Sequence, residues 1–82
     1  MLEEDRIYLL KTTHGSVWLF KKYIAPHIYE ISSCSHAICL DDMYKTYNVC
    51  YVCNDNEIAH LKYANENYIA IWNREFNDNI DL

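Results

Sequence analysis

Eighty-two residues, 51% hydrophobic and 23% charged, describe one small globular domain spanning 1–82, with no room for a second unit and no signature of disorder. The formal charge is −5, and the seven basic residues are scattered with one adjacent pair at Lys21-Lys22, which argues against nucleic-acid phosphates or an anionic membrane as partners. The longest apolar runs, Val17–Phe20 and Tyr68–Trp72, are far shorter than the ~20 residues of a spanning helix. The acidic start, Met1-Leu2-Glu3-Glu4-Asp5, lacks the apolar core of a secretory signal. A cytoplasmic location with reduced thiols is therefore expected, in the host cell if the source is viral.

Arg6–Thr12 and Ser16–Tyr23 are rich in β-branched and aromatic residues and flank Thr13-His14-Gly15. A glycine at the position that needs positive φ makes this a β-hairpin. Ile7 and Leu9 lie on one face and Tyr8 and Leu10 on the other, so both faces should be covered. Ala25-Pro26 interrupts the pattern, and His27–Ser32 then alternates as a half-buried strand. Ser33-Cys34-Ser35 reads as a turn, His36–Leu40 as a returning strand and Asp41-Asp42 as punctuation.

Tyr47–Cys53 is expected to be a strand, ending at the turn cluster Asn54-Asp55-Asn56. Residues 55–64 are ambiguous. Asn54 followed by Glu57 resembles a capping box for a helix, while Ala59, Leu61 and Tyr63 alternate as a strand, which is favoured. Tyr68–Trp72 completes a closing hairpin. The fold expected is all-β, a small antiparallel barrel or sandwich of five to seven short strands, with α+β and one helix near 55–64 as the alternative. The acidic ends, about 1–5 and 77–82, are expected to fray. Trp18, Leu19, Ile31, Val49, Ile69 and Ile71 are the expected core.

Four cysteines fall within twenty residues: Cys34, Cys39, Cys50 and Cys53. Cys50-Tyr51-Val52-Cys53 has the spacing of a zinc half-site, with His36 and His60 as spare imidazoles. Tyr51 and Val52 are strand formers, however, and residues i and i+3 of a strand point to opposite faces. Four small buried hydrophobes are the favoured reading, with no cofactor; zinc is the first alternative, and a pair of disulfides or a redox Cys-x-x-Cys are less favoured, given the reduced thiols expected. A catalytic thiol would need an orienting group and an oxyanion hole, for which a chain with one glycine offers little scope. Asp41 and Asp42 are adjacent and point apart, as in a solvated turn. His14 and His60 read as surface residues.

Aromatic residues make up 15% of the chain, more than so small a core can enclose. Asp41, Asp42, Met43, Tyr44, Tyr47 and Tyr51 lie in one segment, and aromatic anchors beside acids are interface chemistry. The function expected is therefore non-enzymatic: a module that docks on a larger protein with a basic surface. A homodimer is also possible on these residues. The composition, poor in glycine and rich in Asn, Asp, Ile, Tyr and Lys, has the flavour of phage or mobile-element proteins that inhibit host enzymes or defence systems. A zinc-stapled adaptor and an acidic DNA mimic are the competing readings.

Overall fold

The computed structural model describes residues 6–22, 34–49 and 51–81. In chain order they form β1 (Ile7–Thr12), β2 (Val17–Lys22), β3 (Cys34–Cys39), β4 (Lys45–Tyr47), a single 3-10 turn (Asp55–Glu57), β5 (Ile58–Tyr63) and α1 (Glu66–Phe76). The strands make one five-stranded sheet in the order β4-β3-β2-β1-β5. Every neighbouring pair is antiparallel. Among the described residues β4 and β5 are its edges and α1 is the one α-helix, so the sheet is open, not a barrel, and the fold is α+β or mostly β.

The β1–β2 hairpin forms as its sequence dictates. Gly15 takes φ +89° and donates its N–H to the Thr12 carbonyl at 3.0 Å. β1 then carries apolar side chains on both faces, and each face has its own cover. On one side Ile7, Leu19 and Ile38 meet Ala64 and the Trp72 ring of α1, with Leu9, Ile69, Phe76 and Ile80 packed around them. On the other side Tyr8, Leu10, Phe20 and Ala37 meet Cys34 and Cys53, with Val52, Ile58 and Leu61 against them. Tyr8 stacks on Phe20 at 5.4 Å and tilts against Tyr63 at 5.3 Å.

Two bulges complete that second face. β3 inserts Ser35 between Cys34, opposite Lys22, and His36, opposite Lys21. β5 inserts Ala59 between Ile58, opposite Thr12, and His60, opposite Lys11. An extra residue moves the next side chain to the other face. Strict alternation would turn Cys34 and Ile58 away from Phe20 and Leu10; the bulges bring both in.

Tyr68–Trp72 is helix, not strand. Tyr-Ile-Ala-Ile-Trp has strand-like composition, but Tyr68, Ile69, Trp72 and Phe76 recur at helical spacing and face the sheet as one stripe. Asn65 caps the helix by accepting the Tyr68 N–H at 3.2 Å. Asn77 ends it with φ 52°, donating to the Asn73 carbonyl. The helix thus lies at 66–76, while 58–63 is a strand. Glu57 does accept the Asn54 N–H at 3.1 Å, but the box closes only a 3-10 turn.

The strand expected over Tyr47–Cys53 stops at Tyr47. β4 pairs with β3 only from Ala37 to Cys39, although β3 runs back to Cys34, and the chain then leaves this edge to reach the opposite one beside β1. Val49 is consequently 94% exposed and no part of the core. Leu19 is buried; Trp18, Ile69 and Ile71 are half-buried. β3 starts at Cys34, where a turn was expected. The His27–Ser32 strand, Ile31 and the N-terminal five residues lie outside the described residues.

The C-terminal stretch read as a frayed end is tied back along residues 77–81. Asn73 donates Nδ2 to the Ile80 carbonyl and accepts the Ile80 N–H on Oδ1, both at 3.0 Å. The Trp72 indole donates to Asp78 Oδ2 at 3.2 Å, and Lys21 Nζ lies 3.9 Å from the same oxygen. The Asn79 N–H, then the Trp72 indole and the Lys21 and His36 charges, hold the Asp78 carboxyl below its ordinary range, against a partial penalty from burial.

Trp72→Ala should cost ~3–5 kcal/mol, a large share of the ~5–15 kcal/mol available to a small domain. Val49→Ala should change stability by less than ~0.5 kcal/mol. Denaturant melts of both variants check the pair; equal midpoints would show that α1 is not part of the core. A depressed carboxylate pKa contributes stability above its unfolded value, lost as pH falls through the folded one. Asp78→Asn should therefore remove part of the loss of thermal stability seen on acidification below about pH 4, measured as melting temperature against pH.

Candidate functional site: the turn between β3 and β4

Leu40–Tyr44 connect β3 to β4 through two successive turns. The Cys39 carbonyl accepts the Asp42 N–H at 3.4 Å, and the Asp42 carbonyl accepts the Lys45 N–H at 3.1 Å. Met43 and Tyr44, the central residues of the second turn, both have positive φ, 55° and 59°. That is the type I′ pattern, which favours Asn-Gly. For an L-residue with a long side chain the left-handed region costs roughly 1–2 kcal/mol. Methionine and tyrosine are held here against local preference.

The strained residues are also outward-facing. Met43 is 95% exposed and Tyr44 40%. Among the described residues the exposed large hydrophobics are Met43, Tyr44, Val49, Tyr51 and Tyr63, and all but the last belong to the segment from 43 to 51. Asp41 and Asp42 flank them on the same turn, both exposed.

Asp41 is fixed in place. Its Oδ1 accepts from the Cys39 thiol at 3.0 Å and from the Val17 N–H at 3.4 Å. The thiol hydrogen bond, above all, keeps the carboxyl below its ordinary range, so it stays charged. Behind it a cleft of about 280 Å³ is lined by Val17, Leu40, Asp41, Tyr44, Tyr68 and Ile71. That is near the lower limit of a ligand pocket and suits one large side chain. Arg74 of α1 stands against Tyr44, its guanidinium carbon 5.6 Å from the ring.

The six residues expected to form a binding surface do not all meet. Asp41, Asp42, Met43 and Tyr44 share the turn. Tyr47 is half-buried on β4, packed 5.6 Å from Trp18 on the face away from α1. Tyr51 lies in the connection towards β5, 62% exposed, its hydroxyl donating to Asn54 Oδ1 at 2.7 Å. Tyr68, Ile71 and Arg74 complete the site and were missed, because a strand over Tyr68–Trp72 could not place them there. The Asn65 cap and the spacing of Tyr68, Ile69, Trp72 and Phe76 were the signals that would have found them.

The cysteines divide. Cys34 is disulfide-bonded, where reduced thiols were expected. Its sulfur therefore has no thiolate to give a metal. Cys39 and Cys53 are buried free thiols. Burial first, then the bond to Asp41, pushes Cys39 up to about 11. Burial, then the charges of Glu57 and Asp55, raises Cys53. Protonated thiols are poor nucleophiles and poor ligands. Among the described residues no three metal-ligating side chains converge, and Cys50 lies outside them. His36 is committed to aromatic packing, 5.0 Å from the Phe76 ring.

No protein-family model matches this chain, and no curated protein or solved structure matches it.

Alkylation should follow the cysteine division. In the native protein at neutral pH, Cys39 and Cys53 should label slowly. In denaturant without reductant both should label and Cys34 should not, until a reductant is added. Mass mapping reads the sites. Rapid native labelling of Cys39 would contradict the thiol geometry beside Asp41.

Proposed function

We propose that this chain is a non-catalytic protein-binding module that docks through the β3–β4 turn. One observation carries the reading: Met43, almost wholly exposed, sits beside Tyr44 in a left-handed turn that neither side chain favours. Strain at an exposed apolar tip is retained where a partner uses it. Met43 supplies a flexible apolar contact. Tyr44 supplies a ring with a polar end, and the cleft beside it accepts one anchor from the partner. Asp41 and Asp42 steer a partner whose surface is basic.

Further support comes from what the thiols cannot do. The two free cysteines are held protonated and the third described one is oxidised, which disfavours nucleophilic chemistry. The zinc-stapled alternative loses support for the same reason. Inhibition of a host enzyme or defence protein by a phage or mobile element is the biological role that the composition suggests for such a module.

The test separates binding from folding. Replacing Met43 by Asn and Tyr44 by Gly installs the residues a type I′ turn favours. This double variant should be more stable by roughly 1 kcal/mol or more, and should lose the partner that the unmodified chain retains in a host pull-down. Asp41→Lys with Asp42→Lys should slow association and change its salt dependence while leaving the off-rate nearly constant. A stabilised double variant that still binds with the same kinetics would place the interface elsewhere.

A further inference from the structure

The opposite edge of the sheet carries the opposite chemistry. On the α1 side of the sheet, Leu9 and Val17 floor a groove of about 230 Å³ whose walls are Lys11, His60 and Lys62. Strand register assembles it: Lys11 stands between Val17 of β2 and His60 of β5, and Leu9 is opposite Lys62. No acidic residue lines the groove. Among the described residues neither Lys11 nor Lys62 has an ion-pair partner. In a chain of net charge −5, two unpaired ammonium groups and an imidazole on one wall are an unsatisfied cationic feature.

The groove borders an open strand edge. Among the described residues β5 pairs with β1 on one side only and is the last strand of the sheet. Ala64 donates its N–H to the Ile7 carbonyl at 2.9 Å, in register with the Tyr8–Tyr63 and Leu10–Leu61 pairs. The alternation of an antiparallel ladder then aims the N–H and C=O groups of Leu61 and Tyr63 away from β1. These are a template for a further strand. A second copy of β5 is a poor occupant: a twofold centred on Leu61 would set Lys62 of one copy opposite His60 of the other.

The geometry points to an extended acidic peptide segment as the occupant of this edge, added to β5 as a sixth strand. Its main chain bonds to Leu61 and Tyr63. Its carboxylates stand opposite His60 and Lys62 over the groove, and its alternate apolar side chains lie along the Leu61 and Tyr63 face. The segment recognised therefore alternates Asp or Glu with apolar residues. The groove meets the cleft beside the β3–β4 turn at Val17, but the β5 edge that takes the added strand lies at the other end of the sheet from β4.

The probe is a capped peptide, Thr-Val-Glu-Val-Glu-Val-Thr, beside its counterpart with lysine at both glutamates. Titration into the full chain, followed by amide NMR and hydrogen exchange, reads the result. The acidic peptide should bind saturably, more weakly as salt rises, and slow exchange at Leu61 and Tyr63; the lysine peptide should not. Lys62→Glu should weaken the acidic peptide about fivefold, the scale of one cross-strand ion pair, with the amide spectrum otherwise retained. The Met43→Asn/Tyr44→Gly double variant should bind it unchanged, which separates this site from the turn. Equal binding of both peptides, exchange slowed elsewhere, no saturation at millimolar peptide, or sedimentation showing a dimer sealed through β5 would each overturn the proposal. If Lys62→Glu fails to fold, the two peptides on the unmodified chain still decide.

Discussion

Everything else in this domain depends on β1 being apolar on both faces. Ile7 and Leu9 look one way and Tyr8 and Leu10 the other, so burying one face alone would leave a large apolar patch in water. A sheet covered on one side would not satisfy such a strand. The chain answers with a helix on one face and a short irregular segment carrying Val52 and Cys53 on the other. β1 also takes partners along both edges, β2 locally and β5 from half the chain away. Placing β5 there obliges the backbone to leave β4 after three residues and cross to the far edge.

That detour shapes the surface. It strands Val49 and Tyr51 outside the core and leaves β4 too short to extend the sheet usefully. The β3–β4 turn then projects past a short edge strand, held by its own hydrogen bonds, by the Leu40 N–H on the Val17 carbonyl, by Asp41 on Val17 and Cys39, and by the side of α1. Local strain at Met43 and Tyr44 is tolerable because the rest of the fold over-determines the turn's ends. Stability and exposure are thus in opposition at one place, the expected condition of a site kept for contact and not for folding.

The two edges differ in charge as well as in length. The β4 edge ends in a turn with adjacent carboxylates; the β5 edge carries Lys62 and His60 beside Lys11. A lysine on an edge strand discourages pairing between identical copies. It also selects for an acidic neighbour, and the same residue can serve both ends.

The sequence by itself determined what neighbouring residues decide. The first hairpin followed from Gly15 between two β-rich runs. The exposed acidic and aromatic character of Asp41–Tyr44 followed from composition, and the Glu57 contact to Asn54 from a four-residue pattern. Tertiary structure decided the rest. Four of the five residues in Tyr68–Trp72 are strand formers, and only docking of the Trp72 stripe on Ile7, Leu19 and Ile38 selects the helix. The fate of Val49 turned on where the chain leaves the β3 edge: pairing ends at Tyr47, although β3 itself runs back to Cys34. The cleft beside Tyr44 and the cationic groove join residues 17 with 71 and 11 with 62, and no local pattern records such separations. Side-chain periodicity carries information about which face a residue takes; which strand lies beside it depends on loop closure and burial over the whole chain.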